Sequence, residues 1–442
     1  MSEEKTVNTV DEILPKGQLL AYGMQHVMAM YAGCVAVPLI IANALGLSMD
    51  QRIYLINADL FTVGIATIIQ SLGVFNMGVR LPVVQGVSFA AVTPMLVIGA
   101  KSGIQGIFGA TIAAGLIAYL ISPYFSRLIR FFPPVVTGTI ITIIGVSLLP
   151  VGVRWAAGGV PTAPGFASMA NISLAFTVLL LTIIFYRGLK GFWSNIAVLL
   201  GLVSGTVLAV FAGMTDFSRV AGAGWFGIAT PFAFGMPIFD VTSIVTLTLA
   251  MLVIMTETTG DIIAVGEIVG RPAKQEDLVR GLRADGFATM LGGVMNTFPY
   301  SAFAQNVGLV GLTGVRSRFV VVTAGVILMA LGLFPKAAAV VAAIPNPVLG
   351  GAGIAMFGMV AASGIRSLSK VSFEGNHNAM IVAVSIGVGL IPLAVPTFYQ
   401  NFPEWARMIL QSGITVGSLV AVVLNICFNE IGGKKAEPAG SR

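Results

Sequence analysis

The chain has 442 residues, of which 56% are apolar and only 10% are charged. Soluble domains carry about 25% charged residues, so this composition excludes a typical soluble enzyme, a disordered chain and a nucleic-acid-binding protein. The net charge of +6 does not indicate nucleic acid either, because the 24 Lys and Arg residues are scattered thinly between apolar runs. Cys34 and Cys427 both lie in apolar runs and form no CxxC pair, so neither a disulfide framework nor a zinc site is predicted. The composition predicts an all-α polytopic membrane protein embedded in a lipid bilayer.

Apolar runs taken in chain order predict fourteen membrane segments, since a spanning helix needs about 20 mostly apolar residues. The segments cover 19–45, 54–73, 83–99, 104–121, 135–150, 172–187, 194–213, 242–264, 279–295, 301–312, 317–334, 347–363, 373–393 and 409–430. The third and tenth are irregular. The third contains Gly86 between Pro82 and Pro94, and the tenth follows Pro299. Proline and glycine at these places interrupt a regular helix.

The distribution of basic residues gives the orientation. With the N-terminus in the cytoplasm, eighteen of the 24 Lys and Arg residues fall on the cytoplasmic side. The six on the outer side are Arg52, Lys101, Arg154, Arg219, Lys336 and Arg407. Cytoplasmic loops of membrane proteins carry the excess of Lys and Arg, so both termini are predicted to be cytoplasmic in a multi-pass protein of the cell membrane.

The two interrupted segments are seven segments apart, which predicts two consecutive halves of opposite orientation. The connection at 214–241, rich in Gly, Pro and aromatic residues, is the natural divider. Interrupted segments at matching places of two such halves indicate an inverted-repeat transporter with its binding site near the membrane midplane.

Four acidic residues are predicted to lie inside membrane segments: Asp59, Glu257, Asp261 and Asp285. A charge at the bilayer centre costs about 2.5–3.5 kcal/mol on insertion scales, so such residues are functional candidates. Glu257 and Asp261 are four positions apart and share one helix face. Buried carboxyl groups can load and release a proton in a proton-coupled carrier, and they accept hydrogen bonds from substrate N–H groups. The alternative is a structural pair at a helix break, and for Asp59 the structural role is favoured.

Other polar residues in or beside apolar segments carry two interpretations each. His26 is either a packed core residue or a polar bridge to the eighth-segment carboxylate or to substrate, whereas His377 is interpreted as structural. The amide of Gln305 can make a two-pronged contact with the cis-amide edge of a nucleobase, and both Gln305 and Asn306 could instead satisfy backbone at a broken helix. Asp285 could pair with Arg283 or with a carrier residue. Two histidines so placed do not predict a metal site.

The stretch 305–314 is similar to the signature of the nucleobase–ascorbate transporter family. That signature is Gln or Glu, then Asn, one residue, Gly, four residues, Thr and usually Gly, and here it reads QNVGLVGLTG. The other matching elements are Gln25-His26 in the first segment, Ser88-Phe89 in the third, Glu257 with Asp261 in the eighth and Asp285 in the ninth. Together they cover nearly the whole chain, and within the family the sequence most resembles bacterial xanthine/uric acid permeases.

The resemblance implies a fold of fourteen segments in 7+7 inverted repeats, with segments 3 and 10 each a short strand followed by a half-helix. A core domain would comprise segments 1–4 (19–122) and 8–11 (242–334). A gate domain would comprise segments 5–7 (135–213) and 12–14 (347–430), with cytoplasmic tails at 1–18 and 431–442. It also implies a homodimer through the gate domain, and transport by motion of the core against the gate.

The resemblance further implies a purine site. Glu257 would bind the purine ring and Gln305 its opposite amide edge. Phe89 would stack on or line the ring, with backbone amides near Ser88 helping, and His26 would join the hydrogen-bond network that holds the carboxylate.

Three more residues would tune this site. Asp261 and Asp285 would support proton coupling and helix geometry, and Asn306 would tune affinity and specificity. Gln305, where uracil permeases tend to have Glu, favours a dioxopurine. Ser88 stands where some xanthine permeases have Asn, so the choice between xanthine and uric acid stays open.

The resulting prediction is proton-coupled import of xanthine or uric acid, with no cofactor, metal or nucleic acid. Two alternatives within the same architecture are a uracil or other nucleobase permease and a sulfate or bicarbonate carrier. An anion carrier would need fixed positive charge or bare helix N-termini at its site rather than intramembrane carboxylates. A lipid-modifying enzyme would need acidic metal-binding loops, and Glu276-Asp277 is the only adjacent acidic pair beyond the N-terminal tail; no enzyme is predicted.

Overall fold

The structure is a computed structural model that describes residues 9–374 and 377–431. Residues 1–8 and 432–442, which include part of the predicted N-terminal tail and nearly all of the predicted C-terminal tail, lie outside the described residues. So do four basic residues that were counted toward the cytoplasmic side: Lys5, Lys434, Lys435 and Arg442.

The described chain is helical almost throughout, as the long apolar runs predict. Its first half contains α1 (Lys16–Ala44), α2 (Met49–Leu72), β1 (Gln85–Val87), α3 (Val92–Leu128), α4 (Pro134–Ala156), α5 (Met169–Gly188), α6 (Phe192–Asn195) and α7 (Ala197–Phe211). The connecting α8 (Ser218–Gly222) and the second half follow, with α9 (Val241–Ile268), α10 (Gln275–Val294), β2 (Tyr300–Ala302), α11 (Ala304–Thr313), α12 (Arg318–Gly332), α13 (Pro335–Ala342), α14 (Asn346–Leu368), α15 (Asn378–Ala394), α16 (Glu404–Leu410) and α17 (Gly413–Asn425). Short 3-10 turns cover Thr9–Asp11, Phe89–Ala91 and Ile129–Phe131, and a π-helical turn covers Ile426–Ile431.

Within the described residues, eight helices are long and apolar enough to cross a membrane. A ninth is obtained if the bent pair α12 and α13, which meet at 82°, is counted as one span. The sequence prediction of fourteen segments is larger because it also counts short and broken segments. One break is Gly103 inside α3, where φ is 66° and ψ is −170°; glycine adopts this backbone conformation without steric cost. It separates the predicted third and fourth segments.

The only strands among the described residues lie in the predicted third and tenth segments, and they pair with each other. β1 and β2 are antiparallel, with Gln85 opposite Ala302 and Val87 opposite Tyr300. All six strand residues are buried. Irregular backbone at membrane depth is tolerated only where protein satisfies its N–H and C=O groups, and this pairing does so.

Small residues bring three pairs of helices into close contact: α2 with α12, α3 with α10, and α4 with α14. A Cβ added at Gly332 would lie 2.8 Å from Cα of Phe61, and one at Gly286 would lie 2.8 Å from Cα of Tyr119. Such small-residue contacts are the usual way in which helices associate in lipid, where the hydrophobic effect does not drive them together.

Candidate functional site

The two strands position the starts of two helical segments. After β1, Ser88 accepts a hydrogen bond from the N–H of Ala90 through Oγ (3.3 Å), and so caps the turn that leads into α3. After β2, α11 begins at Ala304 without a side-chain cap. Unpaired N–H groups at a helix start favour acceptors and negative charge, so the uncapped start of α11 is the one suited to polar acceptor atoms.

Glu257 lies beside the first of these helix starts. Its Oε2 accepts a hydrogen bond from Oγ of Ser88 at 3.4 Å, a long contact that joins α9 to the end of β1. Glu257 and Asp261 are both half-buried on α9. Oδ2 of Asp261 is buried and has no hydrogen-bond partner among the described residues. α9 thus presents two carboxyl groups at the paired strands, with acceptor capacity left over.

Asp285 is fully buried and connects α10 to β1 and α2. Its Oδ1 accepts from Nε2 of Gln85 (2.9 Å) and from Nε2 of Gln70 (3.2 Å). The sequence suggested Arg283 or a carrier residue as its partner; the structure pairs it with these two glutamines instead. Neither glutamine had been assigned a role, although each is a polar residue in an apolar run.

His26 and Asn306 lie against each other. Nδ2 of Asn306 is 3.0 Å from Nδ1 of His26 and also donates to the backbone oxygen of His26 at 3.0 Å. Both side chains are buried. This contact links α1 to the first turn of α11. The predicted link of His26 to the network of Glu257 stays a prediction, since the hydrogen bond observed is to Asn306.

Gln305 is exposed, and no hydrogen bond joins its side-chain amide to another described residue. Its neighbours Ala304 and Gly308 on α11 are exposed as well. The first turn of α11 therefore borders open space, and the Gln305 amide retains all of its hydrogen-bonding capacity for a bound molecule.

Two phenylalanines enclose the strands. Phe89 packs edge-to-face on Phe357 of α14, with ring centroids 5.9 Å apart. Phe303 lies between α1 and β1, because a Cβ at Gly33 would come within 2.8 Å of its Cζ and one at Gly86 within 2.6 Å of its Cε2. Phe303 was not predicted; as one of 27 phenylalanines it carries no distinctive sequence signal.

Asp59 lies in a separate buried network behind β2. Its Oδ1 accepts from Oγ1 of Thr297 (2.7 Å) and from Oη of Tyr300 (3.0 Å), and its Oδ2 accepts from Sγ of Cys34 (3.2 Å). Asp59 is completely buried. Buried carboxylates persist where several donors satisfy them, and this geometry agrees with the structural role favoured from the sequence.

A hydrogen bond fixes β2 to α9. The backbone N–H of Ala302 donates to Oγ1 of Thr258 at 3.0 Å. Thr258 is the residue after Glu257, so the same stretch of α9 holds β2 through one side chain and presents a carboxyl group through the next.

An apolar cavity of the described chain lies away from the strands. It has a volume of about 310 Å³ and is almost wholly apolar, with Tyr31, Trp155 and Met356 among its lining residues. None of the predicted site residues lines it. The polar residues predicted for the site lie instead at or near the two strands and the helix starts that follow them. No group of His, Cys, Asp and Glu in the described part of the chain could hold a metal ion.

A family model described as "Permease family" matches residues 17–398. The chain belongs to this family. The predicted membership of the nucleobase–ascorbate transporter family is thereby confirmed, and the permease is a multi-pass membrane protein.

Close relatives agree with this assignment. The chain is 48% identical to the uric acid transporter UacT of Escherichia coli strain K12 over 97% of this chain and 89% of the relative. It is 46% identical to the xanthine permease of Bacillus subtilis strain 168 over 93% and 94%. It is 44% identical to the uric acid permease PucJ of the same Bacillus strain over 93% of both chains.

Solved structures show the fold. The permease is similar to the transmembrane domain of the bicarbonate transporter BicA from a cyanobacterium, with a TM-score of 0.62 at 15% identity over 93% of this chain and all of that one. It is also similar to SLC26A9, with a TM-score of 0.60 at 11% identity over 94% of this chain and 66% of that one.

Proposed function

We propose that the permease imports a dioxopurine, xanthine or uric acid, by proton symport through alternating access. The carboxyl group of Glu257 beside Ser88 carries this proposal. It places a proton-exchanging acceptor at the start of one broken segment, while the free amide of Gln305 lies at the start of the other. The similarity to a uric acid transporter and a xanthine permease supports the substrate class.

The two ends of the site suit different parts of a dioxopurine. One edge of such a ring carries N–H groups, which can donate hydrogen bonds to the carboxylate of Glu257. Another edge carries an N–H group beside a C=O group, and the amide of Gln305 matches this edge with one acceptor and one donor. Phe89 supplies an aromatic face beside these groups. His26 and Asn306 hold α1 against α11 and so fix the position of Gln305.

Proton coupling would use the carboxyl groups gathered on α9 and α10. Glu257 accepts a hydrogen bond from Ser88, and Asp261 follows one turn later with an oxygen that has no described partner. Asp285 holds the strand through Gln85. If substrate binds only when the site is protonated, and substrate and proton are both released on the other side, the flux of substrate is coupled to the flux of protons.

The helix contacts support the 7+7 inverted repeat. Numbering the predicted segments 1–14, the close contacts are 3 with 10 through the strands, 5 with 12 (α4 with α14), 2 with 11 (α2 with α12), and 4 with 9 (the second part of α3 with α10). An inverted repeat relates each segment to the one seven places away. Under this exchange the contacts 3–10 and 5–12 stay the same, and the contact 2–11 becomes the contact 9–4, so the set of contacts has the expected symmetry. We therefore propose the division into core (segments 1–4 and 8–11) and gate (5–7 and 12–14). We further propose that the protein lies in the cell membrane with both termini in the cytoplasm, and that two copies form a homodimer through the gate.

Labelled uptake tests the function. Cells that lack purine permeases and express the protein are given xanthine, uric acid, hypoxanthine or uracil at two pH values, with and without a protonophore. We expect saturable uptake of xanthine or uric acid that falls at higher pH and collapses with the proton gradient. Glu257→Gln should abolish it. Glu267→Gln, which removes an exposed carboxylate from the same helix, is the matched control and should transport normally.

The assay also separates the alternatives. Normal uptake by Glu257→Gln would refute the role of Glu257. Uptake of uracil in place of dioxopurines would favour the alternative of a uracil or other nucleobase permease. Inhibition by sulfate or bicarbonate with no effect of xanthine would favour an anion carrier, for which the fold alone gives no argument.

A further inference from the structure

An ion pair lies between helices of the proposed core and gate. Nζ of Lys101, in α3, is 3.0 Å from Oε1 of Glu404, the first residue of α16. Lys101 is also 3.3 Å from Oδ1 of Asp240. α3 belongs to the core segments, whereas α16 lies between the last two gate segments and contacts both α3 and α9.

Asp240 keeps Lys101 fixed on the core side. Its Oδ2 accepts from N (2.9 Å) and Oγ (2.8 Å) of Ser243 and so caps α9. The loop before it is held on α3, because the N–H of Ile238 donates to the oxygen of Gln105 at 3.1 Å. Desolvation opposes the ionised form of Asp240, but hydrogen bonds from Ser243 and Lys101 outweigh it and hold the pKa of this carboxyl below its usual range. Lys101 is therefore an anchored cation that reaches toward Glu404.

A second polar contact joins the same two groups of helices at the same end. Nδ2 of Asn43, near the end of α1, donates to Oδ1 of Asn346 at the start of α14 (3.4 Å). In the proposed topology this is the outer end, to which Lys101, Asp240 and Glu404 also belong. At the site itself the first turn of α11 borders open space.

We propose that Lys101 and Glu404 form an outer latch that holds the core against the gate and sets how often the site opens to the outside. This inference rests on the proposed alternating access. Separating the two bodies at the outer end must break the bond to Glu404, whereas the bond to Asp240 moves with the core. Lys101 is thus a positioning residue that acts on the transport cycle without touching substrate.

The size of the effect follows from exposure. The side chains of Lys101 and Glu404 are 31% and 60% exposed. Exposed ion pairs shift an equilibrium by about 1.5- to fivefold. A carrier needs a weak latch of this kind, because a strong one would trap a single state.

The test measures opening without substrate. Ala36 on α1 is 5% exposed and lines the same cavity as Gly353 and Met356 of α14, so Ala36→Cys reports separation of core and gate. Cys427→Ala removes the exposed native thiol, and Cys34 is buried. A membrane-impermeant maleimide is applied to the outer side of intact cells, and the labelling rate is measured.

We expect Glu404→Gln to raise the labelling rate about 1.5- to fivefold. In a Lys101→Gln background it should give no further increase. Raising the salt concentration should speed labelling of the parent but not of Glu404→Gln, since salt screens exposed charges. Arg407→Gln, which changes a charge on the same short helix, is the matched control and should leave the rate unchanged.

An unchanged rate in Glu404→Gln, or an equal increase in the Lys101→Gln background, would overturn the latch. Uptake assays on the same cells keep the two proposals apart. If Glu404→Gln raises the labelling rate but the parent takes up no purine, the proposed function is contradicted and the latch is not. If the parent takes up purine normally but Glu404→Gln leaves the labelling rate unchanged, the latch is contradicted and the proposed function is not.

Discussion

The contact between Gly86 and Phe303 gives a sharp prediction about stability. A Cβ at Gly86 would lie 2.6 Å from Cε2 and 3.2 Å from Cγ of Phe303, and closer still to Cδ2. Gly86 does not have a positive φ, so alanine meets no backbone penalty there and its only cost is steric. The ring cannot retreat freely, because its Cζ packs on Gly33 of α1. Overpacking of this kind costs about 1–3 kcal/mol.

Thermal unfolding in detergent measures this cost. An unfolding entropy of about 2.1 cal/mol/K per residue corresponds to about 0.9 kcal/mol/K for a chain of this length. Gly86→Ala should therefore lower the midpoint by about 1–3 °C. The matched control is Gly308→Ala, where an added Cβ meets nothing within 4 Å. It should leave the midpoint unchanged or raise it, because alanine favours a helix interior by up to about 1 kcal/mol over glycine.

A second substitution tests the cause. Phe303→Leu shortens the side chain that the new methyl group meets, so Gly86→Ala should cost less in that background, by an interaction energy of about 0.5 kcal/mol or more. A wild-type midpoint for Gly86→Ala, or the same loss with and without Phe303→Leu, would refute this reasoning.

Three further substitutions probe the surroundings of the site. Thr258→Val orphans the buried N–H of Ala302 and should cost about 1–3 kcal/mol in unfolding free energy, whereas Thr258→Ser should not; equal midpoints for the two would contradict this role. Asp59→Asn replaces one carboxylate oxygen by an amide donor, which leaves either Cys34 or the Thr297 and Tyr300 pair without its acceptor and should lower the midpoint; a midpoint as high as that of the parent would show that the network is not needed. Asn306→Ala removes both hydrogen bonds to His26, which should cost less than about 1.7 kcal/mol but change the ratio of xanthine to uric acid uptake; an unchanged ratio would exclude Asn306 from specificity.

Much of the fold could be predicted because it depends on local patterns. Pro82 and Pro299 lie just before the two strands, and Pro94 lies in the first turn of α3, so the interruption expected at these prolines is where the strands form. The helical character of the chain follows from the apolar runs, because a bilayer admits little else, whereas the division into fourteen segments stays a prediction. At the site, Ser88 and Glu257, which the family resemblance singles out, lie within hydrogen-bond distance of each other, while their roles stay a prediction.

The partners of buried polar groups could not be predicted. Asp59 finds Thr297 across 238 positions, and Asp285 finds Gln70 across 215. Such pairs depend on how helices pack, and no spacing in the sequence encodes that. The same reason explains the position of Phe303, whose sequence neighbourhood gives no sign that two glycines from other elements accommodate its ring.

The pairing of β1 with β2 has a consequence for biosynthesis. Gln85 meets Asp285, its partner behind the strand, only 200 positions later, and β2 follows later still. At a translation rate of about 5–20 residues per second, this interval lasts about 10–40 s. During that time the backbone of the first strand lacks its partner, and unpaired amides are costly in a hydrocarbon environment. The first half of the chain must therefore wait at the membrane with an unfinished segment, protected by water, lipid headgroups or the insertion machinery, until the second half emerges.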